Sequence, residues 1–386
     1  MDMHKRWIAF LLVAMMLLPF MPTARAAGPE IAAPSAILMD AATGTILYEK
    51  NANERLSPAS VTKVMTLLLV MEALDSGRIT WDDTVIASDA AAAKGGSQVY
   101  LEVGEQMSMD EMLKSVVVSS ANDCACALAE HIAGSEAAFV EMMNQRAADL
   151  GLTDTHFVNC TGLDDEPSAA KHLTTAHDLA VISRELLKHE EIKKYTTIWM
   201  DTVRGGKFGL SNTNKLVRFY EGTTGLKTGY TSGAGHCLSA SAKRDGIELI
   251  AVVMHCSSST DRFQSAKALL DYGFANYALV SAEAPEALPT VQVRLGRTSV
   301  LQPVLQESAP ILIEKGQQAS VTKTVQVEPE ITAPVSAGQQ LGTMTIKAGD
   351  EVLAEIPVIA PERIEKLTWW ELTTRILRRL CMGMEE

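Results

Sequence analysis

An α+β fold, with an antiparallel sheet flanked by helices and a small all-β module after it, is the architecture the order of patterned segments predicts. Three observations carry that expectation. Two short runs of alternating apolar residues follow Pro34, several helical segments fill residues 57–190, and three successive strand-like runs separated by tight turns occupy residues 225–256.

Taken in order, "SAILMDAATGTILYEKNAN" reads as a hairpin turning at Ala42 to Gly44. Ser57 can then cap, and Pro58 can open, a helix running to about Leu74 and stopping before Ser76 and Gly77. Val61, Val64, Met65, Leu68, Leu69 and Met71 cover more than one face of it, so this helix is expected to be central. "SMDEMLKSVVVSSANDCACALAEHIAG" reads as two helices broken between Ser119 and Asn122, the second closed by Gly134. "EAAFVEMMNQRAADLGL" and "TTAHDLAVISRELLKH" are further helices, the latter capped by Thr174 or Thr175. "GLKTGYTSGAGHCLSASAKRDGIELIAVVMHC" gives strand, Gly-rich turn, strand, turn at Asp245 and Gly246, and strand.

Composition shifts after Val280. "AEAPEALPT" reads as a linker, and residues 290–360 alternate short strands with Pro, Gly and Asp, the mark of a small β-sandwich-like domain. Residues 362–382 are expected to form an amphipathic helix, with Trp369, Trp370, Leu372, Ile376, Leu377 and Leu380 opposite Glu371, Arg375, Arg378 and Arg379. Two tryptophans on the apolar side suit a membrane surface, and packing on the β domain or on a partner protein is the alternative.

At the other end, a basic start at His4 to Arg6, an apolar run from Trp7 to Met21 and the triplet Ala24, Arg25, Ala26 read as a signal peptide over residues 1–26, cleaved before Ala27. About fifteen apolar residues are short for a membrane-spanning anchor. The chain has 386 residues, 47% of them hydrophobic, enough for a folded domain of residues 27–282 and a second, smaller one. Its 34 basic and 47 acidic side chains leave a formal net charge of −13, which excludes a general attraction to nucleic acid and makes any membrane contact local. The six cysteines show no metal or redox spacing. Cys124 and Cys126 diverge on a helix, while Cys160, Cys237, Cys256 and Cys381 stand apart, so free and mostly buried thiols are expected, with no metal or cofactor.

Chemistry enters at "LSPASVTKVMT", where Ser60 and Lys63 lie one helical turn apart. A lysine among apolar side chains loses its proton more easily than in water, and a neutral amine can take the proton of a neighbouring hydroxyl. Backbone N–H groups of the first turn favour the negative charge that develops when that hydroxyl attacks a carbonyl. The spacing alone is common, and Ser168 with Lys171 and Ser320 with Lys323 repeat it, the first in a polar loop and the second on an expected strand whose positions point to opposite faces. Only Ser60 heads an apolar helix. Ser120-Ala121-Asn122 at the helix break and Lys227-Thr228-Gly229 on an expected strand complete the ordered set of serine penicillin-interacting enzymes.

With those motifs and the strings "SSANDCACALAEHIAG", "FVNCTGLDD", "TTAHDLA", "NTNKL" and "TGLKTGYT", the chain resembles the exported D-alanyl-D-alanine carboxypeptidases, the low-molecular-mass penicillin-binding proteins of peptidase family S11. The resemblance implies a β-lactamase/transpeptidase-like catalytic domain, peptidoglycan stem peptides ending in D-Ala-D-Ala as substrate, β-lactams as inhibitors, and a place on the outer face of the cytoplasmic membrane. Ser60 would form the acyl-enzyme, Lys63 would be its base, and Ser120 would pass a proton to the leaving amine. Asn122 would hold the substrate amide or Lys63, Lys227 and Thr228 would bind the terminal carboxylate, and the N–H groups of Ser60 and Tyr230 would form the oxyanion hole. Some relatives carry histidine where Tyr230 follows Gly229, and here His236 comes six residues later. A serine β-lactamase shares all three motifs but would want an asparagine four residues after a loop glutamate; Ala170 stands at that place relative to Glu166. A non-catalytic cell-wall binding protein is the rival of another class.

Overall fold

The computed structural model describes residues 28–165 and 167–382; the leader reading for residues 1–26 and the loop glutamate Glu166 lie outside the described residues. Strands β1 (Ser35–Asp40) and β2 (Ile46–Lys50) form the expected hairpin, and β3 (Thr223–Thr231), β4 (Gly235–Arg244) and β5 (Ile247–Cys256) form the expected meander. They join in one sheet of order β2-β1-β5-β4-β3, antiparallel throughout. Both faces are covered. On β5, Ile250, Val252 and Met254 enter one apolar cluster and Leu249, Ala251 and Val253 the other, as the two-residue period of a strand requires. That is why the β5 sequence is almost continuously apolar.

One cluster is completed by α1 (Lys63–Asp75), α2 (Met109–Val118), α3 (Asn122–Ala133), α4 (Glu136–Asp149) and α5 (Ala176–Leu187), and the other by α6 (Ser259–Asn276) through Leu269, Leu270 and Phe274. The α+β expectation holds. Thr175, not Thr174, caps α5, its hydroxyl accepting from the N–H of Asp178.

The start of the central helix departs from expectation. Ser57 makes no cap; a 3-10 turn over Ala59–Thr62 precedes α1, with Ala59 in the left-handed region at φ 47. That backbone is incompatible with an α-helix opening at Pro58, and Ala59 is held in it by the Thr62 hydroxyl donating to its carbonyl at 2.8 Å. The remaining helix is central as expected, ten of its thirteen residues being buried. Truncating a side chain such as Leu68 to alanine costs roughly 2–5 kcal/mol in such surroundings.

Beyond α6, Tyr277–Val280 pairs with Ile311–Glu314, and the hairpin of Gln340–Ala348 and Glu351–Ile359 lies in a four-stranded sheet. Val291, Val293, Leu301, Ile331, Val335, Leu341 and Ile364 form a core of their own. The last helix, α7 (Trp369–Met382), begins later than residue 362, because Ile364 is buried in that core and bridges Val335 while Lys366 bridges Gly296. Trp369 and Trp370 are more than four-fifths exposed, and Ile376 and Leu377 about half. No helix among the described residues is long and apolar enough to cross a membrane.

The two other Ser-x-x-Lys pairs lie elsewhere. Ser168 is exposed on a short turn (Pro167–Lys171). Ser320 ends a 3-10 turn rather than lying on the strand, its hydroxyl donating to the Gln317 carbonyl at 2.7 Å while Lys323 donates to that of Glu283 at 2.9 Å. Cys124, Cys126, Cys160, Cys237 and Cys256 are buried free thiols.

Candidate active site

Ser60 sits half-buried in the 3-10 turn, and Lys63, wholly buried, begins α1 one turn later. Lys63 Nζ lies 3.1 Å from Ser60 Oγ, 2.5 Å from Asn122 Oδ1 and 2.9 Å from the Thr161 carbonyl. Burial pushes this amine down from its usual range to about 7, against smaller opposite effects of Cys160 and Asp123. The donor inventory then assigns the protons. A neutral amine has two N–H groups and one lone pair; Asn122 Oδ1 and the Thr161 carbonyl can only accept, so they take both N–H groups and the lone pair is left for the Ser60 hydroxyl.

The second wall is the break between α2 and α3. Ser120 adopts φ 64 there, a conformation that costs a non-glycine residue about 1–3 kcal/mol, and its buried Oγ has no hydrogen-bond partner among the described residues. Asn122 is fixed from both sides, its Nδ2 donating to the Gly95 carbonyl at 2.8 Å and its backbone N–H to that of Ser97 at 2.7 Å. The Asp123 carboxylate anchors the same loop by accepting from the N–H groups of Val99 and Leu101.

The third wall is β3, which packs on the Ser60 turn. A Cβ on Gly229 would lie 2.6 Å from the Pro58 carbonyl and 3.0 Å from the backbone nitrogens of Ser60 and Val61, so only glycine lets the strand come this close. Lys227 is buried, donating to the Thr228 carbonyl at 2.9 Å, and the Thr228 hydroxyl donates to that of Thr213 at 2.6 Å. Burial first, then the Lys63 and Arg262 charges, hold Lys227 well below the usual lysine range. Tyr230 is exposed, and the β3–β4 register sets His236 directly opposite it, the rings stacking at 4.3 Å.

Sequence reasoning missed three participants. The Thr161 carbonyl carries no residue signal, although Thr161 itself lies within "FVNCTGLDD". Arg262 comes from α6 behind β3, its Nη1 donating to the Gly229 carbonyl at 3.1 Å and its buried Nε lacking a partner among the described residues. His172, in the polar stretch that carries Ser168 and Lys171, is 2% exposed. Its Nδ1 accepts from the Val158 N–H at 3.2 Å, so Nε2 carries the proton and donates to Thr62 Oγ1 at 2.8 Å, which in turn holds the Ala59 carbonyl. Burial lowers the His172 pKa to about 4, so the relay keeps this polarity at neutral pH.

Gly162, at φ 82, closes the same corner: a Cβ there would stand 1.8 Å from the Ala59 carbonyl oxygen. Gly162→Ala is therefore expected to destabilise the protein by about 2–4 kcal/mol, from the strained φ plus the clash, and to displace the Ser60 turn. Thermal unfolding checks this, and a wild-type melting temperature would contradict the packing described.

The chain matches known proteins over most of its length. Residues 22–258 match the family profile described as D-alanyl-D-alanine carboxypeptidase, and residues 279–366 match that of the penicillin-binding protein 5 C-terminal domain. The chain is 43% identical over 374 residues to the D-alanyl-D-alanine carboxypeptidase DacF of Bacillus subtilis, covering 94% of this chain and 95% of the relative. In structure it is similar to penicillin binding protein 5 from Haemophilus influenzae, with a TM-score of 0.73, 30% identity, and 89% of this chain and 100% of that one covered. It is also similar to penicillin-binding protein D2 from Listeria monocytogenes in an ampicillin-bound form, with a TM-score of 0.58, 31% identity, and 63% and 98% covered.

Proposed function

Because the chain belongs to the D-alanyl-D-alanine carboxypeptidase family and is a serine-type carboxypeptidase of cell-wall peptide, we propose that Ser60 is its acylated nucleophile and Lys63 the base that activates it. The observation that carries this reading is the hydrogen-bond arrangement of Lys63, whose two pure acceptors leave one lone pair for Ser60. Ser60 Oγ attacks the carbonyl between the last two D-alanines of a stem peptide while its proton passes to Lys63 Nζ. The N–H groups of Ser60 and Tyr230 hold the oxyanion, an assignment supported by the close approach of β3 to the Ser60 nitrogen at Gly229. The Ser120 hydroxyl, without a partner among the described residues, delivers its proton to the departing D-alanine amine and is reprotonated by the Lys63 ammonium. The neutral Lys63 then takes a proton from the water that hydrolyses the ester, and Ser60 recovers its own.

The terminal carboxylate binds between Lys227, Thr228 and Arg262. Burial holds the Lys227 pKa well below the usual lysine range, and an incoming carboxylate acts in the opposite direction by favouring the ammonium. Arg262 stays charged, as a guanidinium does throughout the accessible pH range. Gly229 serves as the close-packed joint, and Asn122 holds Lys63 and borders the substrate amide.

A β-lactam meets the same hydroxyl, and its acyl-enzyme persists. Mass spectrometry after incubation with penicillin, and separately with a pentapeptide ending in D-Ala-D-Ala, tests both claims. The expected results are a long-lived penicilloyl adduct on the peptide containing Ser60 and the release of D-alanine; rapid turnover of penicillin without an adduct would mean a β-lactamase instead.

The protein is further proposed to be exported by its leader and held on the outer face of the cytoplasmic membrane by α7. The exposed Trp369, Trp370, Ile376 and Leu377 support that reading. A chain ending at Thr368 keeps Ile364 in the β core and is expected to be soluble, fully active and at least tenfold weaker in binding anionic-lipid vesicles. Undiminished vesicle binding by that truncated chain would overturn the anchor.

A further inference from the structure

Behind the Lys63 acceptors lies a partly buried cluster that the reaction does not use. Cys126 Sγ, Cys160 Sγ and a Glu136 carboxylate oxygen all lie within 4.8 Å of one another. Each carboxylate oxygen faces one sulfur, Oε1 at 3.2 Å from Cys160 and Oε2 at 3.9 Å from Cys126, and a second carboxylate, Glu130 Oε1, lies 3.8 Å from Cys126. Lys94 closes the group by donating to Glu136 Oε2 at 2.5 Å. From these positions we propose that Cys126, Cys160 and Glu136 form a binding site for one thiophilic divalent cation of the zinc class, with Glu130 or water as fourth ligand.

Three arguments carry it. Two sulfurs and a carboxylate from three separate segments converge, and such a donor set is the one that zinc prefers over magnesium or calcium. Charge also balances. Two thiols, the Glu136 and Glu130 carboxylates and the Lys94 ammonium sum to −1; a divalent cation that displaces both thiol protons gives two thiolates, two carboxylates, an ammonium and two positive charges, again −1. A partly buried cluster therefore takes up the ion without changing its net charge, the condition that burial imposes. Finally, the site has a mechanical consequence for the cleft. Cys126 lies one turn after Asn122 on α3, and Cys160 directly precedes Thr161, so a bound ion ties together the two segments whose oxygens hold Lys63. The cation takes no part in acyl transfer; its ligands act on Lys63 only through Asn122 and Thr161.

The test uses the full folded chain, purified under reductant, treated with chelator and then titrated with zinc. Native mass spectrometry is expected to show one zinc per chain. Cobalt as a substitute is expected to give the thiolate-to-cobalt charge-transfer absorption, which needs no variant and so survives any folding failure of one. Cys126→Ser and Cys160→Ser are each expected to weaken zinc binding by about 100-fold or more while Cys256→Ser leaves it unchanged. Absence of stoichiometric zinc, absence of the thiolate band, or zinc retained by the Cys126→Ser, Cys160→Ser double variant would overturn the proposal. So would isolation of the two residues as a disulfide that reforms after reduction in the presence of zinc.

Discussion

Ser60→Ala is expected to abolish covalent labelling by fluorescent penicillin and to lower D-alanine release by at least ~10⁴-fold, while leaving the melting temperature within a few degrees of wild type. The size of the loss follows from the role: without Oγ there is no acyl-enzyme, and the remaining donors can only orient a peptide for direct attack by water. The mild effect on stability follows from position, since Ser60 is half-buried and its hydroxyl contacts only Lys63 among the hydrogen bonds described. Ser168→Ala and Ser320→Ala serve as internal controls, because both carry the same spacing on exposed turns. Labelling that survives Ser60→Ala and disappears in either control would place the nucleophile elsewhere.

The second large effect belongs to Lys63. Lys63→Met keeps an unbranched chain of similar length and removes only the amine, and it is expected to lower the acylation rate by about 10²–10⁴-fold, the range of a lost general base. The wild-type protein offers an independent readout. Burial lowers the Lys63 pKa to about 7, and the working form is the neutral amine, so kcat/KM must fall as pH drops through about 7, approaching tenfold per unit. The sign is opposite to that of a mechanism needing the ammonium. A profile flat through pH 7, or one that rises on acidification, would exclude Lys63 as the base.

Lys63 also shows how far sequence spacing reaches. Its pairing with Ser60 follows from one turn of helix, and the helix break that presents Asn122 is visible in the polar run from Ser119, because local geometry fixes both. Thr161 was invisible, since a backbone carbonyl has the same chemistry in every residue and this one arrives from 98 positions away. Arg262 and His172 were hidden for a related reason. Arg262 lies in a stretch for which the sequence motifs give no element, and nothing local says that its guanidinium reaches the Gly229 carbonyl. His172 lies in a polar stretch that reads as loop, yet it is buried because that loop folds beneath the Ser60 turn.

The sequence by itself determined the order of the opening hairpin, helices α1 to α5 and the three-stranded meander, and the three motifs that meet at the cleft. All of these depend on residue type and on periods of two or 3.6. Tertiary structure alone decided that Ser60 sits in a 3-10 turn, that α7 starts only after Ile364 has entered the β core, and that Cys126, Glu136 and Cys160 converge. Each of those outcomes is set by a contact between segments far apart in the chain, where packing and hydrogen-bond satisfaction override local propensity.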